Sequence, residues 1–201
     1  MSNESAGTRK RIIDVTANML TECSSDMIHI VDVADRASVG IQTIYYHFGS
    51  IRGLIAETQM SVYGRLTEPL HAFLEAAEAA IIQDDEPTFW EAVGDDVMMA
   101  WSYGFVGDRW SIPKLLTDIS AHPKTQRDLS DLLAVQFERW INVIEGAKLR
   151  GWANPVVDTY ALVASCWAAT NGQAALARNS KMEYTPERIR DFFLEIAVLK
   201  R

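Results

Sequence analysis

The sequence predicts an all-α protein of about nine helices. Apolar residues recur at spacings of three and four along the chain, β-branched alternation is nearly absent, and breaks containing Gly, Pro or Asp fall at helix-length intervals. With 201 residues, 48% hydrophobic and 23% charged, the chain can bury one sizeable core or dock a small domain on a larger one. Only the polar segment 1–7 reads as a loose end.

The first helix is expected over about Thr8 to Cys23, with Ile12, Ile13, Thr16, Ala17 and Leu20 on one face and Ser24-Ser25-Asp26 ending it. The second covers about Ile30 to Ala37, where Ile30, Val33, Ala34 and Ala37 make a narrow buried stripe. Ser38-Val39-Gly40 is a turn, and a third short helix runs from about Ile41 to His47. Gly49-Ser50 breaks it, with Ser50 placed to cap a long fourth helix towards Ala80 that Pro69 should kink. Asp84-Asp85-Glu86-Pro87 then opens a helix carrying Phe89, Trp90, Val93, Val97, Met98 and Trp101.

After a turn from Gly104 to Pro113, a short helix is expected near Lys114 to Ser120. Pro123 opens a long one to about Arg150, with Leu129, Leu132, Leu133, Phe137, Trp140, Ile141 and Ile144 inside and Gly151 closing it. An Ala-rich helix, apolar nearly all round, is expected from Pro155 to Arg178. Ser165, Asn171 and Gln173 interrupt its apolar run from Tyr160 to Ala177, so it reads as buried rather than membrane-spanning. Thr185-Pro186-Glu187 opens the last helix, with Ile189, Phe192, Phe193, Ile196 and Leu199 on one stripe.

The net charge of −8 is unevenly spread. Residues 1–65 carry six Lys/Arg against seven Asp/Glu, and residues 66–201 carry thirteen against twenty, so the first part is only −1 and the second −7. Arg9, Lys10 and Arg11 form a local basic cluster sufficient for phosphate contacts. No apolar stretch follows a basic N-terminal region, so no secretory signal is expected. Cys23 and Cys166 read as two reduced thiols, in keeping with a cytoplasmic protein.

The second and third helices with their short turn, at about 29–48, have the make-up of a helix-turn-helix. Val39, Ile44 and Phe48 supply a buried side, which turns Gln42, Thr43, Tyr45, Tyr46 and His47 outward. Tyr45 and Tyr46 are adjacent, so they cannot both pack on one core. Gln42 can pair with adenine, Thr43 can touch a thymine methyl or a phosphate, and the tyrosines can reach phosphates.

The run from Val33 to Ser50, with Leu54 after it, resembles the helix-turn-helix of the TetR family of bacterial regulators, I-A-x-x-A-G-V-S-x-G-T-L-Y-x-Y-F-x-S-K-x-x-L. The similarity extends over roughly residues 8–65 and rests on Ala34, Ala37, Val39, Thr43, Tyr45, Phe48 and Leu54. Ser38 stands where the family usually has Gly, Gly40 where it has a capping Ser, and Gln42 at a common Gly. Ile51 occupies the position of a phosphate-binding Lys, with Arg52 adjacent. Ile30 and Val31 fill positions that often hold Thr or Arg. These departures bear on DNA contacts more than on the fold.

The resemblance implies a DNA-binding domain over residues 6–66 and an effector-binding and dimerisation domain over residues 67–201. It further implies a homodimer on a palindromic double-stranded operator, repression, and release by a small-molecule effector, with no membrane partner. Gln42, Thr43, Tyr45, Tyr46, His47, Arg52, Arg9 and Lys10 are the expected DNA-contacting residues. The alternative is a helical small-molecule-binding or interaction protein whose DNA-binding head is degenerate.

All six tryptophans, Trp90, Trp101, Trp110, Trp140, Trp152 and Trp167, lie in the second part. Singly each reads as core. Together they suit an apolar cavity between helices that takes a hydrophobic or aromatic ligand. Trp90, Met98, Trp101, Tyr103, Phe105, Phe137, Trp140, Trp167 and Asn171 are its expected lining, Met99 extends the adaptable wall of Met98, and Asn142, Asn171 and Gln173, if they point inward, are candidates for the polar groups that orient a ligand. Ala161, Ala164, Ala168 and Ala175, with Phe192, Phe193 and Ile196, are the expected dimer interface, because small residues allow close helix approach in a four-helix bundle.

Enzymatic chemistry finds no support. Asp95-Asp96 are adjacent, point about 100° apart on a helix, and read as a solvated face. His29, His47, His71 and His122 lack metal-ligand spacing, and no Gly-rich phosphate loop or G-x-S-x-G elbow occurs. No cofactor and no metal is expected.

Overall fold

A computed structural model describes residues 3–102, 112–120, 122–176 and 185–198. It is all-α. The helices are α1 (Asn3–Glu22), α2 (Ile30–Ala37), α3 (Ile41–Phe48), α4 (Ile51–Gln83), α5 (Glu86–Ser102), α6 (Ile112–Ser120), α7 (Pro123–Leu149), α8 (Thr159–Leu176) and α9 (Pro186–Ala197), with a 3₁₀ turn at Ser25–Met27. Among the described residues no helix is long and apolar enough to cross a membrane. The chain divides into two compact units, residues 1–66 with 114–129, and residues 67–113 with 130–201. The segment 114–129, read from sequence with the second domain, packs with the first unit.

The first unit is built on a small apolar core. Ile12, Ile13, Ala17 and Leu20 of α1 meet Val33, Ala34 and Ala37 of α2, Ile44 and Phe48 of α3, and Leu54 and Ile55 of α4, all buried. The link between α2 and α3 closes as a Schellman turn: Val39 N–H donates to Ala34 O (3.0 Å) and Ser38 N–H to Asp35 O (3.1 Å). Ser38 consequently takes the left-handed conformation, φ 53° and ψ 50°, which Gly adopts without the steric cost a Cβ brings.

Ser50 caps α4, accepting from Gly53 N–H at 3.0 Å. A side chain at Gly53 would place its Cβ 2.3 Å from Phe48 O, so only Gly lets α4 start this close to the end of α3. A polar tie brings α6 into the same unit. The Gln59 amide, fully buried on α4, donates to the Asp118 carboxylate on α6. Ser25 Oγ donates to Asp118 Oδ1 and lies 3.0 Å from His122 Nε2.

The second unit centres on Phe89, which is fully buried and sits edge-on to Trp90 with ring centroids 4.8 Å apart. Leu74, Ala77 and Ala80 of α4, Ala92 and Val93 of α5, and Val143, Ile144 and Ala147 of α7 surround it. Arg139 on α7 holds Glu78 on α4 through two bonds of 2.8 and 2.7 Å, and that pairing keeps the Glu78 carboxyl below its ordinary range. Leu132 and Asn142, expected inside, are exposed.

The Ala-rich helix begins at Thr159 rather than Pro155. Asn154 Oδ1 accepts from Val156 N–H (3.1 Å), so Pro155 sits in an Asx turn. Asp158 Oδ1 then caps α8 by accepting from Ala161 N–H at 2.7 Å. Thr185 caps α9, as its Thr-Pro-Glu start indicates.

The strain at Ser38 is testable. Replacing Ser38 with Gly should raise stability by up to about 1 kcal/mol, since left-handed geometry costs a non-Gly residue about 1–2 kcal/mol and Gly's extra unfolded-state entropy returns part of it. Denaturant unfolding reads the change, and an equal or lower midpoint would show that Ser38 is unstrained.

Candidate functional site

Two places gather chemistry, one in each unit. On α3, Ile44 and Phe48 are four residues apart and turn inward, and this fixes the direction of the rest of the helix. Gln42 is exposed, Tyr45 is 47% exposed and Tyr46 81%, while Thr43 and His47 are half-buried. These side chains present hydrogen-bonding groups along one two-turn surface, alongside exposed Val31 and Ile41.

The nearby cations differ in how free they are. Arg9 pairs with Glu57 and lies over the Phe48 ring at 5.4 Å. Lys10 pairs with Asp14 at 2.9 Å. Arg11 Nε donates to Ala37 O at 3.1 Å, tying α1 to the end of α2. Arg52, exposed on the first turn of α4, makes no ion pair among the described residues.

The second place is a cavity of about 100 Å³ in the second unit. It is lined by Leu70, His71 and Leu74 of α4 and by Val93, Asp96, Val97 and Ala100 of α5. Gln136, Phe137 and Trp140 of α7, Cys166 and Trp167 of α8, and Phe193 and Leu194 of α9 complete most of its wall. The Gln136 amide donates to His71 Nε2. Phe137 packs edge-on to Trp167 with centroids 6.1 Å apart.

The expected walls are therefore partly relocated. Phe137, Trp140 and Trp167 line the cavity. Trp90 packs against the Phe89 core instead, and Met98 turns towards α9, where its sulfur accepts from Arg190 at 3.2 Å. Tyr103, Phe105 and Trp110, and the side chains of Trp101, Asn171, Gln173 and Ala175, lie outside the described residues. Of the expected interface, Ala161, Ala168 and Phe192 are exposed, Ala164 and Ile196 half-buried, and Phe193 faces the cavity.

Asp96 is the main correction to the sequence. It is half-buried and lines the cavity. Burial pushes its carboxyl up from 3.8 to about 8. Cys166, which also lines the cavity, is raised to about 12 by burial and, secondarily, by the charge of Asp96. The signal lay in the sequence: Val93, Asp96, Val97 and Ala100 fall at i, i+3, i+4 and i+7, so the carboxylate occupies a core position of α5. Asp95 and Asp96 point in different directions and answer to different surroundings.

No protein-family model and no curated protein matches this sequence. Solved structures do match its fold. A TetR-family regulator from Cytophaga hutchinsonii superposes with a TM-score of 0.73 at 16% identity, covering 100% of both chains. The chain has the TetR fold. A transcriptional regulator from Saccharomonospora viridis, solved in complex with choline, matches with a TM-score of 0.69 at 16% identity over 98% of this chain and 100% of its own. NalD, the secondary repressor of the MexAB-OprM efflux pump in Pseudomonas aeruginosa, matches at 0.65 and 14% identity over 100% of both chains.

The state of Asp96 can be read from stability against pH. A carboxyl whose pKa is higher folded than unfolded binds its proton more tightly in the native state, so it supplies stability that is full below about pH 4 and lost as pH rises through about 8. Asp96→Asn should therefore gain on the parent protein as pH increases across that window. Taking the difference between the two proteins cancels Glu78, Asp85 and Glu145, whose lowered pKa values act the opposite way. Parallel pH profiles would mean that Asp96 is ionised and compensated in the folded protein.

Proposed function

We propose that the chain is a DNA-binding transcriptional regulator, a homodimer that represses from a palindromic operator and leaves it when a small molecule occupies the cavity of the second unit. The observation that carries this reading is the exposure of Gln42, Tyr45 and Tyr46 on a short helix whose Ile44 and Phe48 are buried. An exposed aromatic and amide surface of this width matches base edges and phosphates in a major groove. The TetR fold supports the assignment, as does the family-like sequence from Val33 to Ser50. The choline complex and the repressor NalD among the fold neighbours support a ligand-responsive repressor.

Arg52 is the first phosphate contact. Arg9 and Lys10 would join it by exchanging Glu57 and Asp14 for phosphate oxygens. The dimer would form through the outer stripe of α8, Tyr160, Ala161, Ala164 and Ala168, together with Phe192 of α9. Ligand control requires that the effector favour one arrangement of the two reading heads over another, since only differential affinity shifts an equilibrium. α4 is the natural lever, because it contributes Leu54 and Gln59 to one unit and Leu70, His71 and Leu74 to the cavity of the other.

A helical binding protein with a disarmed head is the competing reading, favoured by the acids that occupy Arg9 and Lys10. Fluorescence anisotropy against fragments of the gene's upstream DNA separates the two. A regulator should bind saturably, with a log–log salt slope of about −5 for about six phosphate contacts per dimer. Tyr45→Ala should weaken binding at least about tenfold, while its unfolding midpoint stays put because the side chain is exposed. Absence of sequence-dependent binding at low salt would move the assignment to the disarmed-head protein.

A further inference from the structure

We propose that the cavity takes a small alkylated ammonium cation, its charge set against the Asp96 carboxylate and its alkyl groups against Phe137, Trp140 and Trp167. This deepens the effector reading above and rests on it. Among the described residues nothing compensates Asp96: no hydrogen bond or ion pair reaches it, although it is half-buried in the wall of the cavity.

Among the described residues no Lys or Arg lines the cavity. On α4, the Nε2 of His71 is taken by the Gln136 amide. The α7 wall is Gln136, Phe137, Trp140 and Ile144, all uncharged. α8 presents the Cys166 thiol, whose raised pKa keeps it neutral. α9 presents Phe193, Leu194 and Ala197, and its Arg190 guanidinium is engaged by Asp191 and the Met98 sulfur.

The aromatic walls point the same way as the carboxylate. Ring faces carry partial negative charge, so Phe137, Trp140 and Trp167 add to the preference for a positive guest. A metal ion is a poor fit, because hard cations need about six oxygen ligands and the described residues hold no cluster of metal-binding side chains. The acceptors in the wall are the Asp96 carboxylate and the Gln136 carbonyl, set among apolar residues such as Leu70, Leu74, Val97 and Ala100, so a cation with few N–H groups fits best. N-alkyl groups need no acceptor. A cavity of about 100 Å³ is also small beside the roughly 300–1,000 Å³ of pockets for drug-sized molecules.

Binding is tied to a proton. With its pKa near 8 in the empty site, Asp96 must release its proton to face a cation, so affinity should rise with pH until about 8 and then level off.

The test uses the full-length protein and two probes of similar size, tetramethylammonium and its neutral counterpart tert-butanol, followed by calorimetry and tryptophan fluorescence. Tetramethylammonium should bind at least about tenfold tighter than tert-butanol, and tighter at about pH 9 than at about pH 6. Asp96→Asn, which keeps the volume, should abolish that preference with helicity retained, and Trp140→Leu should weaken the cation alone. Equal affinity for the two probes, or a cation preference that survives Asp96→Asn, would overturn the charge assignment and leave the cavity as an apolar effector site. If neither probe binds or shifts the unfolding midpoint, the effector reading of the cavity falls with it.

Discussion

The constraint on which most of this architecture rests is that α4, a single helix of 33 residues, has to be buried twice. Near its start, Leu54, Ile55, Thr58, Gln59, Val62 and Tyr63 are inside; further along, Leu74, Ala77 and Ala80 are. Its buried positions serve two cores in turn, while Gly64, Arg65, Glu68, Ala72, Glu75 and Ile82 keep a solvent-facing side along its second half. Two polar bonds offset part of the cost of this burial, although the Gln59 Oε1 is buried without a hydrogen-bond partner among the described residues. Thr58 Oγ1 returns its hydrogen to Leu54 O (2.8 Å), and the Gln59 amide finds the Asp118 carboxylate.

Within the first unit the same economy of contacts fixes α3. Eight residues cannot hold a helix in water unaided, so α3 exists because Ile44 and Phe48 are seated on α1, α2 and α4. That seat sets the outward direction of Gln42, Tyr45 and Tyr46. Arg9 stacks over Phe48 while pairing with Glu57, which links the basic N-terminal cluster to the same seat. The residues that bury α3 are therefore also those that aim its outward side chains.

Much of the first unit was legible in the sequence because short-range signals coincide there. The stripe of α2, the turn at Ser38, the Ser50 cap and the i, i+4 pair Ile44 and Phe48 all specify the same arrangement. The second unit was harder. Its helices could be found, but which aromatic residues share a cavity depends on how five helices rotate against each other. Trp90 and Trp140 look alike in sequence and both pack on the core around Phe89, yet Trp140 also lines the cavity and Trp90 does not. Asp96 was missed because its neighbour Asp95 suggested a solvated pair, although the spacing of Val93, Val97 and Ala100 marked the position as internal. The start of α8 was misplaced because Pro155 serves an Asx turn, and the cap lies three residues on at Asp158.

The central claim is that two copies of α3 read one stretch of duplex. Hydroxyl-radical footprinting of the protein on its own upstream DNA tests it most directly. A two-fold reader should protect two backbone segments, symmetric in sequence and centred about 34–36 Å apart or at a multiple of that spacing. Protection that is unpatterned along the duplex, or that covers one isolated segment, would contradict it.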